Sequence, residues 1–315
     1  MKFSLIIPLF NKAPYIAQTL QSVLAQSWQE FEVIVVDDGS TDASVEIVKR
    51  FKHPQIRLVQ QPNAGVSVAR NHGISLASGE WIGFLDGDDS LHPAYFASIV
   101  EMMKAFPSID VMASRFRVIA DSPAWPPEVW PLQTPKYQLI DDLPTRWMQG
   151  IPFFTGSIVI RATLLKSFMP CFPEGESFGE DMDLWFRLAE VATIVLSDQP
   201  LAAYRNQVAG GLISQQQHSL IAPYLLRMQK RALQLAQDHP RRVSILRYVC
   251  QQYITQARLD VAKGQRGQAF VLIWKSWRQG FGVKRWWSTL IMLLTLPGKA
   301  IERWQTWRKL RTLTQ

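Results

Sequence analysis

Trp81-Ile82-Gly83-Phe84-Leu85 runs straight into Asp86-Gly87-Asp88-Asp89. A short apolar run broken by acid and glycine reads as a buried strand that ends at a turn. Three similar runs precede it. Ser4–Pro8 reads as a strand, Glu32–Val36 is β-branched and ends at Asp37-Asp38-Gly39-Ser40, and Ile56–Val59 is a third. Helical patterns lie between them. Pro14–Gln26 carries Ile16, Leu20, Val23 and Leu24 on one face, Ala43–Phe51 can be capped by Thr41 or Asp42, and Val66–Ala77 is closed by Gly79. Pro93 opens another helix at a favoured position. Strands alternating with helices predict an α/β fold, a mostly parallel sheet flanked by helices. Ligands of such sheets bind outside the carboxyl ends of the strands, where both acidic clusters fall.

Further on, 121–152 is rich in proline and tryptophan and reads as a long loop over the site. Ser157–Arg161 and Thr193–Leu196 read as strands, and Gly179–Val191 as a helix that opens with acids. From His218 the pattern is helical: Leu225–Gln237, Val243–Ala262 and Gln265–Arg278. Charge changes at the same place. Arg227–Gln315 holds 18 Lys/Arg and 3 Asp/Glu, a net of +15, while the rest of the chain is at −7. Two domains are expected, 1–217 and an α-helical extension at 218–315, with different partners.

The 315 residues are 47% hydrophobic and 19% charged, which describes a folded chain. Cys171 and Cys250 are too few for a disulfide framework or a cysteine-rich zinc site, and fit a reducing compartment. The apolar start, Phe3–Pro8, is too short to predict a signal peptide. The apolar stretch from Trp286 to Leu296 is about half of what a spanning helix needs.

Asp86 and Asp88 stand two residues apart at a strand end, so their carboxylates point the same way. Together they can share a hard divalent cation whose shell is completed by water and phosphate, which suits a diphosphate ligand. The same residues also suit an acidic turn before the helix at Pro93. A carboxylate of Asp37-Asp38 can accept from a base or ribose hydroxyl, although Ser40, Thr41 and Asp42 equally suit a helix cap. Gly179-Glu180-Asp181-Met182-Asp183 places three acids in a first helical turn, where they suit the helix dipole; one could instead serve as a general base. No GxGxxG, Walker loop or G-x-S-x-G is present, so hydride transfer, P-loop ATP hydrolysis and α/β-hydrolase chemistry lose their usual support.

Phe3–Asn11, Asp37–Asp42, Asn63-Ala64-Gly65-Val66-Ser67-Val68-Ala69-Arg70-Asn71 and Phe84–Asp89, in this order and spacing, resemble the family 2 glycosyltransferases. The resemblance is dense over residues 3–95 and thinner to about 215. It implies a GT-A fold, a Rossmann-like sheet, and inverting transfer from a nucleotide-diphosphate sugar, a UDP-sugar above all, to a glycan or lipid-linked acceptor in surface polysaccharide synthesis. It implies that Pro8 and Phe10 line the donor pocket and that Asp38, with Asp37 beside it, holds the base. Asp86-Gly87-Asp88 matches the family's DxD motif, with Asp88 as the main ligand of Mg2+ or Mn2+ and Asp86 near ribose or metal water. Gly87 stands where alanine or another residue is common. Glu180-Asp181 matches the catalytic acidic pair, with Asp181 as base. Tyr204-Arg205-Asn206 lacks a histidine often found in that region.

On this reading the metal neutralises charge on the departing diphosphate while a carboxylate takes the acceptor's proton. Arg70 is a candidate to grip phosphate or sugar hydroxyls near the donor; it also suits a helix surface. Two alternatives stand beside it. One is a transferase-like binding or assembly subunit without activity. The other is a haloacid-dehalogenase-type phosphatase with Asp86 as nucleophile, although that motif usually opens its fold.

Trp274, Trp277, Trp286, Trp287, Trp304 and Trp307 are interleaved with Lys275, Arg278, Lys284, Arg285, Lys299, Arg303, Arg308, Lys309 and Arg311. Tryptophan favours the bilayer interface, and cations are drawn to anionic lipid. The expectation is an in-plane helix at an anionic membrane surface, which places the protein in the cytoplasm at the inner face of the plasma membrane. A helical subdomain with its tryptophans inside is the other reading. No nucleic-acid partner is expected, because charge alone gives only nonspecific affinity.

Overall fold

Phe3–Leu9 forms β1, with Leu5, Ile6 and Ile7 all buried. Phe31–Asp37 forms β2, in which Val33–Val36 is buried on both faces. Runs without alternation belong to central parallel strands, covered above and below. The computed structural model describes residues 2–120, 129–176, 178–206 and 221–295. Its chain divides into two units, Met1–Gln216 and Gln217–Gln315.

The first unit continues as α1 (Ile16–Leu24), α2 (Ser44–Arg50), β3 (Ile56–Gln60), α3 (Val66–Leu76) and β4 (Trp81–Phe84). Each lies within a few residues of its predicted place. Then come β5 (Ser90–Leu91), α4 (Tyr95–Ala105), β6 (Val111–Ala120), β7 (Tyr137–Ile140), α5 (Leu143–Met148), a 3-10 turn at Thr155–Ser157, β8 (Ile158–Arg161), α6 (Ala162–Lys166), α7 (Glu180–Ala189) and β9 (Ile194–Asn206). One nine-stranded sheet takes the order β3-β2-β1-β4-β8-β6-β9-β5, and β7 pairs β9. Six strands run one way; β5, β7 and β8 oppose their neighbours. The mostly parallel sheet is therefore present, with its antiparallel members in the second half.

Three expectations need correction. Within 121–152, β7 and α5 stand where a continuous loop is expected; residues 121–128 lie outside the described part. The seven prolines of 121–152 mask the short strand because they dominate the local composition. The strand at Thr193–Leu196 continues to Asn206, past Pro200, with a register shift against β6 at Arg115 that absorbs it. A proline that reads as a stop is tolerated at such an irregularity. β5 and β6 have no counterpart in the sequence reading; two residues carry no periodicity at all.

The second unit is helical: α8 (Pro223–Gln234), α9 (Pro240–Ala262), α10 (Arg266–Lys275), α11 (Trp277–Gly280) and α12 (Lys284–Thr295). The single segment expected over Gln265–Arg278 breaks at Ser276. Tyr248, Val249, Tyr253, Ile254 and Ala257 of α9 are buried. The tryptophans divide. Trp286 is buried, and its Nε1–H donates to Ile273 O (3.2 Å) and Ser276 Oγ (3.1 Å). Trp274, Trp277 and Trp287 are exposed. Trp304, Trp307, Lys299, Arg303, Arg308, Lys309 and Arg311 lie outside the described residues. No described helix is long and apolar enough to cross a membrane.

Candidate active site

The loops after β1, β2 and β4 are tied into one surface at the carboxyl ends of those strands. Asn11 takes a left-handed backbone, φ 51°, a region asparagine tolerates. That turns its amide oxygen to accept from Thr41 N–H at 2.8 Å, while its own N–H donates to Ser40 Oγ at 3.0 Å. Lys12 N–H donates to Ser44 Oγ (2.8 Å) and Ala13 N–H to Asp42 Oδ2 (3.0 Å). Asp42 also accepts from Ser44 N–H at 2.9 Å, although the N-cap position itself falls to Ala43 and not to Thr41 or Asp42. Pro8 lies in β1 opposite Val36, and Phe10 is exposed just beyond the strand.

Asp38 is buried and fastens β2 to the turn before α3. Its Oδ1 accepts from Gln61 Nε2 (2.8 Å) and Ala64 N–H (2.9 Å), and its Oδ2 from Gly65 N–H (2.8 Å). A carboxylate offers about four acceptor sites, so one stays open on Oδ2. Asp37 is turned inward, towards Ser40 N–H (3.2 Å) and Gln60 Nε2 (3.3 Å).

Asp86, Gly87, Asp88 and Asp89 cross from β4 to β5. Asp89 is buried; its Oδ1 accepts from Arg205 N–H at 2.8 Å, and Oδ2 has no hydrogen-bond partner. Burial, then the charges of Asp88 and Asp86, push its pKa well above the ordinary aspartate value. Asp88 is also raised, chiefly by burial, with Lys12 opposing; Lys12 Nζ makes a short ion pair to Asp88 Oδ2. Arg205 Nε donates to Asp88 O at 2.9 Å, and Thr19 Oγ1 lies 3.0 Å from Gly87 O and 2.8 Å from Asp89 O. Backbone contacts and the buried Asp89 carboxylate thus hold the loop, and Asp86 and Asp88 pair with Arg70 and Lys12.

Arg70, on α3, is 4% exposed and reaches both acid sets. NH2 donates to Asp86 Oδ1 and NH1 to Glu180 Oε1, each at 2.8 Å, and the guanidinium lies 5.2 Å from the Phe172 ring centre. Both terminal nitrogens are thus engaged by carboxylates. Two carboxylates separated by 94 positions are joined through one cation.

Gly179 precedes α7 with φ 74°, a turn that glycine makes without steric cost. The helix then presents Glu180 inward and Asp181 to the partly open side. Burial, and next the Asp181 charge, raise the Glu180 pKa, against Arg70. Asp181 Oδ2 accepts from Thr155 Oγ1 at 2.8 Å. Tyr204 completes the wall. Its hydroxyl pKa is pushed up to about 12 by burial and then by Asp89, Asp86, Asp88 and Asp181, so one phenol senses both acid sets. The structure therefore brings together Asp86, Asp88, Arg70, Glu180 and Asp181, and sets Asp38 and Asp37 apart beside the Ala64–Gly65 turn.

Lys12, Thr155, Asp89 and Arg205 escape the sequence reading as site residues. Lys12 had a signal, since it follows a strand end in a predicted parallel sheet. Thr155 had none. Asp86 and Asp88 are a donor set of two carboxylates, and the described residues hold no group of three or more His, Cys, Asp or Glu able to cage an ion. That fits Mg2+ or Mn2+ carried with a diphosphate, which supplies the missing oxygens.

The chain matches the family described as Glycosyl transferase family 2 over residues 4–165. It is 43% identical over 103 residues to the uncharacterized glycosyltransferase YibD of Escherichia coli, a match covering 32% of this chain and 30% of that protein. Identity to the chondroitin synthase of Pasteurella multocida is 39% over 92 residues, 29% of this chain and 10% of the synthase. Matches to these relatives thus span a third of their length or less. Among solved structures, S. aureus TarS in complex with UDP-GlcNAc superposes with a TM-score of 0.62 at 22% identity, covering 93% of this chain and 80% of that one. The mannosyltransferase PcManGT of Pyrobaculum calidifontis, in complex with GDP-Man and Mn2+, gives 0.54 at 17% identity, covering 99% and 83%. Both are GT-A structures, and this chain shares their fold.

Proposed function

Because the chain belongs to glycosyl transferase family 2, we propose that it moves a sugar from a nucleotide-diphosphate sugar to a hydroxyl of a glycan or lipid-linked acceptor, with inversion. The observation that carries this reading is Arg70, which joins the acids after β4 to the acids that open α7. A donor diphosphate beside Asp86 and Asp88 then lies within reach of a base on α7. The nucleotide-sugars held by TarS and PcManGT support a donor of this class, UDP-linked in the first and GDP-linked in the second. Synthesis of a surface polysaccharide is the process that suits such an acceptor.

The residues divide the work. Asp38 accepts from the base through Oδ2, with Pro8 and Phe10 beside the nucleotide and Asp37 bracing the turn. Asp86 and Asp88 would hold Mg2+ or Mn2+, with Gly87 keeping the loop narrow. The ion supplies charge neutralisation on the leaving diphosphate. Lys12 offers a second cation on the same side. Asp181 takes the acceptor proton, and Thr155 orients its carboxylate through Oδ2. Glu180, buried against Arg70, is a positioning residue, which narrows the role implied for it by resemblance. The C-terminal unit is read as the part that meets an anionic membrane surface at the cytoplasmic side.

Calorimetric titration of nucleoside diphosphates and nucleotide-sugars, with and without Mn2+, tests the reading on wild type and Asp88→Ala. Metal-dependent binding that the substitution removes is expected. Failure of every nucleotide to bind would overturn donor use and favour a transferase-like assembly subunit.

A further inference from the structure

In the C-terminal unit three arginines converge on one cavity of about 280 Å³: Arg242 and Arg247 from α9 and Arg278 from α11. Val243 and Leu246 give it an apolar side, Gln237 adds an amide, and no carboxylate lines it. Three guanidiniums in one hollow repel unless a counter-charge joins them. Residues 221–295 hold 13 Lys/Arg and two acids, Asp238 and Asp260. Asp260 is buried and accepts from Gln256 at 2.7 Å, which takes it out of reach, and Asp238, next to Gln237, is exposed and does not line the cavity. Arg242 is pinned, since its NH1 donates to the Leu233 and Leu235 carbonyls at the end of α8. Among the described residues, no hydrogen bond or ion pair holds Arg247 or Arg278, and both side chains are exposed. Guanidinium forks lining one hollow suit a phosphate.

A second feature adjoins it. Phe270, Trp274, Trp277 and Phe281 follow at intervals of four, three and four residues, and all are at least 45% exposed. Phe281 packs edge-on against Trp287 of α12 (5.1 Å between centres), where Ile291 and Leu294 extend the exposed apolar surface. The Arg278 guanidinium lies 5.6 Å from the Trp277 ring centre, so the cavity and the stripe share a border. Aromatic rings beside cations are the chemistry of a headgroup layer.

We propose that the cavity of Arg242, Arg247 and Arg278 binds the phosphate of an anionic membrane lipid, with the Trp274–Trp277 stripe seated in the interface beside it. This rests on the reading of the C-terminal unit as membrane-facing, and assigns the face and the ligand. A free phosphate would use the cavity alone; the aromatic border selects the lipid.

The full chain is co-sedimented with phosphatidylglycerol–phosphatidylcholine vesicles and with phosphatidylcholine vesicles. Glycerol 1-phosphate is titrated separately by calorimetry. Arg247→Gln/Arg278→Gln is expected to weaken binding to the anionic vesicles about thirtyfold, two charges' worth, with an unchanged melting temperature. Trp274→Ser/Trp277→Ser is expected to weaken vesicle binding and spare glycerol 1-phosphate. Wild-type binding that the arginine variant retains would overturn the cavity while leaving the membrane reading standing. Binding of glycerol 1-phosphate without vesicle binding would overturn the lipid as its source. Absence of both, with a self-association that the tryptophan variant abolishes, would overturn the whole proposal and make the stripe an interface between copies.

Discussion

Arg70 neutralises two carboxylates from elements distant in sequence, and little solvent reaches it. Arg70→Met strands Glu180 as an uncompensated buried acid, so a loss of about 3–5 kcal/mol is expected in urea unfolding. Arg70→Lys cannot contact both acids with one ammonium, and nucleotide binding and turnover should fall together. Asp181→Asn should behave differently, leaving donor affinity intact and lowering kcat by about 10² to 10⁴, the range of a lost general base. Stopped turnover together with lost donor binding would instead make Asp181 structural. Lys12 competes with any divalent ion for Asp88 Oδ2. Lys12→Met at pH 8 is expected to tighten Mn2+ binding, read by electron paramagnetic resonance titration; unchanged affinity would mean the ammonium and the ion occupy different sides. That the acids gather at one end of the sheet was legible, because they stand at strand and helix ends. That Arg70 joins Glu180 to Asp86 was not, since burial is a property of packing and a sequence reading treats both as ordinary polar groups.

Among the elements, the edge where β1, β2 and β4 begin is fastened by one carboxylate. Glu32 Oε1 accepts from Ser4 Oγ at 2.5 Å and from Ser78 N–H and Oγ, each at 2.8 Å. Burial alone would raise its pKa, but these bonds and Lys2 outweigh it, and the pKa lies below the usual 4.5. A depressed acid contributes stability that is present above its unfolded pKa and lost as pH falls through the folded one. Glu32→Gln should therefore flatten the fall in stability below about pH 4.3, and lower stability at pH 7. The adjacent Gly79 follows the helix α3 and matters for a second reason. Its φ is unremarkable, but a Cβ there would meet Phe3 C and Ser4 N at 2.7 Å and Lys2 O at 2.8 Å, all backbone. Gly79→Ala should cost about 1–3 kcal/mol by overpacking, measured by denaturant melts. The first four strands were readable because each is a short, mostly apolar run bounded by turn residues. β6 and the far half of β9 were not, because on them buried and exposed residues mix and a proline interrupts.

For the whole molecule, the charge division predicts a salt response. Attraction between a basic unit and an anionic surface falls as the Debye length shortens, so vesicle association should drop steeply between about 0.05 and about 0.5 M salt. Insensitivity to salt would point to apolar insertion as the dominant force.

β9 is among the last strands of the first unit to be made, yet it lies inside the sheet, between β6 and β5, and its Arg205 N–H holds Asp89. A ribosome that has released residues 1–190 has already exposed β1 to β4 and their acids, but the loop that carries Asp86 and Asp88 still lacks its far anchor. Donor binding by the nascent chain is therefore expected to appear late and abruptly, when Arg205 leaves the exit tunnel, and not in proportion to length. Pairing at such sequence distance is slow to form, which leaves the open sheet edge exposed to chaperones during that interval.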